Sequence, residues 1–196
     1  MLPANGPLLA ALRLPARIGI TDAQRYGVQK FLTLLDAALE RKLRMVIVRE
    51  PTMCETQLRA FLHAVVQACR PHGARVLLNG DPALAAECSG VHLSARRLAA
   101  LITRPAVALC GTSCHDRAEL DRAVKLGLDY ALLGSVLPTP THPGEPGLGW
   151  ERVQQLLIER TLPVYLIGGM CEAHLERAWE SGAHGIAMIR DAWRTD

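Results

Sequence analysis

Aromatic residues are scarce in this chain of 196 residues, at 4% of the sequence. Its core must therefore rest on aliphatic side chains, and apolar residues together make up 49% of the chain. Such a fraction is typical of globular proteins and excludes a disordered one. The length is enough for one domain with a full core and too short for two of ordinary size.

An excess of charge of either sign is also lacking. The chain has 22 basic and 19 acidic residues, a net charge of +3, and the two signs are interspersed. This balance gives no reason to expect binding to nucleic acid or to an anionic membrane. Residues 1–16 have prolines and arginines where a signal peptide has an apolar run, so we expect neither secretion nor membrane insertion. We interpret residues 1–16 as a linker or docking arm and residues 17–196 as one domain.

No CxxC pair occurs among the six cysteines. A chain of this size does not need disulfide bonds to stabilise its core, so we expect reduced thiols in a cytoplasmic protein. The closest group, from Cys110 to His115, has none of the usual zinc-ligand spacings. The sequence therefore predicts no metal site there.

Short aliphatic runs recur along the chain and predict eight strands. All are apolar on both faces, as in parallel strands that lie buried under helices. Amphipathic stretches at 24–42, 55–70, 117–126, 151–159 and 172–180 predict helices between them, with short turns at 82–87 and 96–102. Gly127 and Gly182 are placed as helix C-caps. The predicted strands are 17–21, 44–48, 74–78, 90–93, 106–110, 129–133, 163–167 and 184–189.

Eight strands alternating with helices predict an α/β protein with a single (β/α)8 TIM barrel. A doubly wound open sheet is the alternative, but eight units of even weight favour closure. Ligands of such barrels bind at the carboxyl ends of the strands. Polar residues concentrate there in this chain, and Asp22 after the first strand either orients a ligand or, as we favour, caps the first helix.

The segment 134–150 holds four prolines, four glycines and three hydroxyl side chains. It is either an interdomain linker or a shaped loop, and the regular strands on both sides favour the loop. After the seventh strand, Gly168 and Gly169 lead towards a helix predicted to begin near Cys171. Their N–H groups and the helix N-terminus would favour an anion such as phosphate. The alternative is a tight turn with no ligand.

Three stretches in order, DYALLGSVLPTPTHPGEPGLGWE, PVYLIGGM and SGAHGIAMI, resemble the thiamine phosphate synthase/TenI superfamily. Arg49-Glu50, Gly90-Val91-His92-Leu93 and Ser113-x-His115 match it as well, so that the resemblance runs from about Arg17 to Trp193. It implies a phosphorylated thiazole or thiamine-related ligand, with contacts from Arg49, Asn79 and Ser113.

The resemblance implies that the part of the site for the thiazole phosphate is retained. Thr139 and Thr141 offer hydroxyl groups in the sixth loop, and Gly168-Gly169 offer backbone N–H groups. His142, in the same loop, is a further expected ligand contact. Arg190 stands where the family has a small serine, so that it either contacts the phosphate or crowds the pocket.

The family's synthases join a pyrimidine diphosphate to a thiazole phosphate and expel pyrophosphate, which requires Mg²⁺ and cations. Four positions depart from that pattern here. Pro51 and His142 replace lysines, and Arg96 or Arg97 replaces an acidic residue. Asp81, the remaining candidate metal ligand, is displaced by one residue in Asn79-Gly80-Asp81. We expect Mg²⁺-diphosphate binding to be weak or lost, and Mg²⁺ to be a cofactor only if synthase activity is retained.

Relatives of the TenI type lack the Mg²⁺-diphosphate part of the site and catalyse tautomerisation of a thiazole carboxylate phosphate. Their acid–base histidine follows the fifth strand, where His115 stands in this chain. A helix N-cap or surface histidine is the alternative role.

The loop sequence together with LPANGPLLAALRLP is most similar to a domain fused behind Nudix hydrolases in some bacterial proteins. This similarity implies a longer natural chain with a covalently attached Nudix domain. Two hypotheses stand: an enzyme of thiamine metabolism, either synthase or tautomerase, or a non-catalytic sensor or substrate-delivery domain of such a fusion. The sequence leaves a homo-oligomer open.

Overall fold

The computed structural model describes residues 14–139, 144 and 146–194 of the chain. Within them, eight parallel strands close into a barrel in chain order, with the first strand paired to the eighth. This confirms the (β/α)8 barrel and excludes the open sheet. The strands are β1 (Arg17–Ile20), β2 (Met45–Val48), β3 (Arg75–Asn79), β4 (Gly90–Leu93), β5 (Leu109–Cys114), β6 (Tyr130–Leu133), β7 (Val164–Leu166) and β8 (Gly185–Met188).

Helices cover the outside of the barrel, and the short connections use 3₁₀ turns. The 3₁₀ turns are Arg70–His72, Pro82–Leu84, Glu172–His174 and Asp191–Trp193. In the described part of the chain, no helix has both the length and the apolar character needed to cross a membrane. The α-helices are α1 (Ala23–Tyr26), α2 (Val28–Glu40), α3 (Glu55–Cys69), α4 (Ala95–Ala100), α5 (Arg117–Lys125), α6 (Gly149–Leu157) and α7 (Leu175–Glu180).

The fifth strand differs from its prediction at 106–110, because it begins at Leu109 and continues to Cys114. Polar residues that the sequence placed after the strand lie within it. Thr112 is fully buried and donates through its hydroxyl to the Leu93 carbonyl at 3.1 Å. The strand tolerates these residues because each polar side chain finds a partner on β4.

The first predicted helix is wrong in two respects, its continuity and its cap. The helix expected at 24–42 is divided into α1 and α2 by Gly27, whose φ of 79° is not helical. Asp22 makes no side-chain cap bond. Glu50 caps α1 instead, because its carboxylate accepts from the N–H groups of Ala23 at 2.8 Å and Gln24 at 3.3 Å. The C-terminal glycines are confirmed, since Gly127 and Gly182 follow their helices with positive φ.

Apolar side chains form two separate clusters, as the alternation of strand residues requires. One cluster fills the space between the strands and the helices. The other fills the barrel interior and consists of Ile18, Ile20, Met45, Ile47, Leu77, Leu109, Tyr130, Leu132, Tyr165 and Ala187. The interior is therefore packed, and a ligand can enter it only from an open end.

His92 lies inside the barrel and is fully enclosed, with 1% of its surface exposed. Its Nδ1 atom is 3.0 Å from the Tyr130 hydroxyl and its Nε2 atom is 3.0 Å from the Ser113 hydroxyl. Burial lowers the pKa of His92 from 6.5 to about 3. The imidazole is therefore neutral at pH 7, and its contacts mark it as a structural residue below the strand ends.

The chain before β1 closes the opposite, amino-terminal end of the barrel. The Tyr165 hydroxyl donates to the Pro15 carbonyl at 2.6 Å, and His184 Nε2 lies 3.0 Å from the Leu14 carbonyl. Of the predicted linker or docking arm, residues 14–16 are described and residues 1–13 lie outside the described part.

The Tyr130 ring occupies the space in the barrel interior that a side chain at position 111 would fill, so this position requires Gly111. A Cβ atom at Gly111 would lie 2.0 Å from the Tyr130 ring. We expect Gly111→Ala to lower the free energy of unfolding by about 1–3 kcal/mol, because an added methyl group overpacks the interior. Gly80→Ala is the control, since its nearest neighbour would be Leu78 at an ordinary 3.5 Å. Chemical denaturation measures both, and equal stabilities would contradict the packing.

Because of His92, the free energy of unfolding should depend on pH in the acidic range. Between pH 6.5 and about 3 the unfolded chain binds one more proton at this site than the folded chain does. The free energy of unfolding therefore falls as the pH is lowered through this window, by at most about 1.4 kcal/mol per pH unit from this group. We expect the stability difference between the wild type and His92→Gln to shrink between pH 7 and pH 4. Denaturation curves that stay equally far apart would refute the buried neutral histidine.

Candidate functional site

The carboxyl ends of the strands surround a cavity of about 1080 Å³. This volume is sufficient for one or two small organic ligands. The described residues that the sequence singled out meet in its wall, with one exception, Asp81. Thr141 and His142 lie outside the described residues. The predicted site residues in the wall are Arg49, Asn79, Ser113, His115, Thr139, Gly168, Gly169 and Arg190.

The turn after β7 requires two glycines. Gly168 and Gly169 have φ values of 95° and 70°, in the region that side chains disfavour. A Cβ atom at Gly168 would lie 2.0 Å from the Ser135 hydroxyl oxygen, and one at Gly169 would lie 2.7 Å from Leu137 Cβ. No hydrogen bond within the described part of the chain uses the N–H groups of Gly168, Gly169 or Met170. Donors of this kind on a cavity wall are suited to an anion.

The segment after β6 is bound to this turn through its backbone. Val136 N–H donates to the Ile167 carbonyl at 2.9 Å, and Leu137 N–H donates to the Gly168 carbonyl at 3.1 Å. Its far end is tied back as well, because Leu148 N–H donates to the Ser135 carbonyl at 2.8 Å. The segment is therefore a shaped loop of the barrel and not a linker, and it brings Thr139 to the cavity wall.

The helix predicted near Cys171 does not supply its N-terminus to the cavity. A 3₁₀ turn occupies Glu172–His174, and α7 begins only at Leu175. The first N–H groups are already used: Cys171 N–H donates to His174 Nδ1 at 3.2 Å and Glu172 N–H donates to Asp191 Oδ2 at 3.0 Å. An anion at this wall would be bound by the glycine turn rather than by a helix dipole.

Asp81 does not face the cavity, because its carboxylate caps a turn. Its carboxylate caps the 3₁₀ turn after β3 by accepting from Ala83 N–H at 2.9 Å, and it lies 3.9 Å from the Arg97 guanidinium. Neither Asp81 nor Arg97 lines the cavity. Among the described residues no group of three histidine, cysteine, aspartate or glutamate side chains could hold a metal ion. Mg²⁺ is commonly bound by one or two carboxylates together with substrate phosphates, and Asp81, the predicted ligand, does not fit that role because it caps its own turn outside the cavity wall.

Unpaired guanidinium groups give the wall a positive charge. Arg49, Arg96 and Arg190 all line the cavity. Their side chains make no hydrogen bond or ion pair within the described part of the chain. The carboxylates of the wall are engaged: Glu50 caps α1, and Asp191 accepts from the Glu172 N–H. The arrangement favours an anionic ligand.

His115 lies at the rim of the cavity, just before α5. Its Nδ1 atom is 3.0 Å from Glu119 Oε2, and 60% of its side-chain surface is exposed. The helix cap is Asp116, which accepts from Glu119 N–H at 2.9 Å, so the N-cap alternative for His115 is wrong. A histidine held by a carboxylate at a cavity wall can exchange a proton with a bound ligand.

The wall also contains polar residues that were not predicted. Cys171, Asp191 and Arg194 line the cavity, and Cys171 Sγ lies 3.3 Å from His174 Nδ1. These residues follow the ends of β7 and β8 by several positions. Reading only the first residues after each strand misses them, whereas a longer reading of each connection would have included them.

Comparison with known proteins assigns this architecture to a family. Residues 18–192 match the family model described as thiamine monophosphate synthase. The chain is 34% identical over 177 residues to a putative thiamine-phosphate synthase of Geobacter sulfurreducens, covering 87% of this chain and 83% of that protein. It is 33% identical over 202 residues to a thiamine-phosphate synthase of Mycobacterium sp. strain KMS, covering 94% and 88%.

A solved structure shows the same fold. Thiamine phosphate pyrophosphorylase from Pyrococcus furiosus aligns with a TM-score of 0.73 and 22% identity, covering 90% of this chain and 89% of that one. The family model spans the barrel from β1 to the last 3₁₀ turn. The chain therefore belongs to the thiamine monophosphate synthase family.

Proposed function

We propose that this chain is an enzyme of thiamine metabolism that binds a phosphorylated thiazole in the cavity at the carboxyl ends of the strands. The observation that carries the proposal is the glycine turn at Gly168-Gly169, whose N–H groups have no acceptor within the described residues. Arg190 lies in the same wall, at the end of the neighbouring strand. The names of the relatives, thiamine-phosphate synthases, support this class of ligand.

The phosphate would be held by two kinds of donor. The N–H groups of the turn bind it without a side chain in between, because glycine leaves the backbone open. The guanidinium of Arg190 adds charge and two donors in a plane. Thr139 is close enough to this wall to take part, and Thr141 and His142 remain predicted contacts outside the described residues.

The reaction we propose first is the transfer of the thiamine phosphate synthase type. In it the bond between the pyrimidine substrate and its diphosphate breaks, pyrophosphate leaves with the electron pair, and the thiazole is joined to the pyrimidine. The chain's own contribution is to hold the thiazole phosphate at Gly168-Gly169 and to surround the leaving anion with positive charge.

A second reaction is favoured by the pair of His115 and Glu119. Their 3.0 Å contact holds an imidazole at the cavity rim, and such a group can take a proton from one position of a bound thiazole and return it at another. This is the tautomerase reaction of the TenI type. It needs the same phosphate site and no diphosphate.

The phosphate site is tested by Arg190→Gln. We expect this variant to weaken binding of thiazole phosphate about ten-fold or more, because hydrogen bonds to charged groups contribute about 1.5–3 kcal/mol. Isothermal titration calorimetry measures the dissociation constant. The control is Arg59→Gln, an exposed arginine on α3 that pairs with Glu55 away from the cavity. Tighter binding by Arg190→Gln would mean that this arginine crowds the pocket, and unchanged binding would mean that it does not contact the phosphate.

The choice between reactions is tested by turnover. Wild-type protein is assayed with the two synthase substrates and, separately, with thiazole carboxylate phosphate. For a tautomerase we expect His115→Asn to lower kcat by about a hundred-fold, as loss of a general acid–base does, with little change in ligand binding. An absence of turnover in both assays would refute the proposal that this chain is an enzyme. If ligand binding then persisted, it would favour a non-catalytic sensor or substrate-delivery domain of a Nudix hydrolase fusion.

A further inference from the structure

We propose that Tyr130 and His92 are positioning residues that make the Ser113 hydroxyl a hydrogen-bond donor towards the ligand in the cavity. The three side chains form one chain of hydrogen bonds that runs from the barrel interior to the cavity wall. The inference rests on the proposed function for the presence of a ligand. It adds a statement about that ligand's chemistry, because the atom next to Ser113 must then be an acceptor, such as an oxygen or an unprotonated ring nitrogen.

The three side chains come from neighbouring strands and lie at different depths. His92 on β4, Gly111 on β5 and Tyr130 on β6 are register partners at one level of the barrel. Because Gly111 has no side chain, the Tyr130 ring extends across β5 and stacks on the His92 ring, with the ring centroids 5.6 Å apart. Tyr130 is fully buried, whereas Ser113 is half-buried and lines the cavity together with His92.

The protonation states limit this chain of hydrogen bonds to two arrangements. Burial lowers the pKa of His92 to about 3 and raises the pKa of the Tyr130 hydroxyl well above its usual range. At pH 7 the tyrosine therefore keeps its proton and the imidazole is neutral. A neutral imidazole has one nitrogen that donates and one that accepts. The hydrogen bonds consequently run either from Tyr130 to Ser113 or from Ser113 to Tyr130.

The surroundings of Tyr130 favour the first direction. If His92 carried its proton on Nδ1, that N–H would donate to the Tyr130 oxygen, and the Tyr130 hydrogen would need another acceptor. His92 is the one hydrogen-bond partner of this hydroxyl among residues 14–139, 144 and 146–194. A buried hydroxyl without an acceptor is destabilising and rare. Tyr130 therefore donates to His92 Nδ1, and the Nε2–H of His92 donates to the Ser113 oxygen.

This direction determines what Ser113 offers to a ligand. The serine oxygen accepts from His92 Nε2 at 3.0 Å, and the described residues hold no other partner of this hydroxyl. Its hydrogen is therefore available to an acceptor atom in the cavity. In the reverse direction the same hydrogen would be bound to His92, and the hydroxyl could only accept. A tyrosine that does not line the cavity thus sets the polarity of a group in the wall.

The first test is nitrogen-15 NMR of the imidazole groups in the ligand-free protein at pH 7. The signals of His92 are identified by their absence from the spectrum of His92→Gln. We expect the proton of His92 on Nε2, with Nδ1 unprotonated. A proton on Nδ1, or a mixture of both tautomers, would overturn the inference. This measurement needs no ligand and no variant of Tyr130.

The second test is a double-mutant cycle read by calorimetry with thiamine phosphate. We expect Ser113→Ala to weaken binding about three-fold to ten-fold, as loss of one neutral hydrogen bond does. Tyr130→Phe should weaken binding by a similar factor in the wild type and add almost nothing in the Ser113→Ala background. The control is Tyr165→Phe, because that hydroxyl donates to the Pro15 carbonyl at the opposite end of the barrel. Circular dichroism checks the folding of each variant.

The outcomes separate this inference from the proposed function. An equal loss from Tyr130→Phe in both backgrounds would mean that Tyr130 only supports packing, and would overturn the inference. Binding that Arg190→Gln weakens and Ser113→Ala leaves unchanged would also overturn it, while the proposed function would stand. A protein that binds neither thiazole phosphate nor thiamine phosphate, but carries the His92 proton on Nε2, would refute the proposed function and support the inferred direction of the hydrogen bonds.

Discussion

The close contact between the glycine turn after β7 and the loop after β6 is the constraint on which the site depends. Gly168 and Gly169 adopt backbone angles that side chains disfavour, and Ser135 and Leu137 fill the space where their Cβ atoms would be. The same contact fixes the loop through two backbone hydrogen bonds. The N–H groups of the turn have no acceptor among the described residues, and Thr139 is held at the cavity wall beside them.

The packed barrel interior supports this arrangement from below. Tyr130 and Tyr165 fill the barrel interior, and the buried, neutral His92 lines the cavity above them. His92 contacts the Ser113 hydroxyl, so that a wall residue rests on an interior residue whose protonation is suppressed near neutral pH. The chain thereby separates an uncharged interior from a wall that carries the guanidinium groups of Arg49, Arg96 and Arg190. Such a wall provides fixed positive charge that needs no reorganisation when an anion binds.

The sequence predicted the closed barrel, because eight apolar runs with intervening amphipathic stretches admit few other architectures. It also predicted the residues next to strand ends, and eight of them meet in one cavity. The cap of α1 was not predictable, because Glu50 rather than Asp22 provides it, from 27 positions along the chain. Local patterns do not encode a contact that depends on the meeting of distant elements. Asp81 is a different case, because it caps its own turn through Ala83, two residues away, rather than facing the cavity. The boundary of β5 failed for the same reason as the cap of α1, since Thr112 is polar in sequence but satisfied by β4 in the fold.

We propose that this wall binds a phosphate at Gly168-Gly169. The most direct measurement is a crystal structure of the protein with thiazole phosphate bound. We expect phosphate oxygens within hydrogen-bond distance of the N–H groups of the turn and of the Arg190 guanidinium. A phosphate found on the opposite side, against Arg49 and Arg96, with the glycine turn empty, would contradict it.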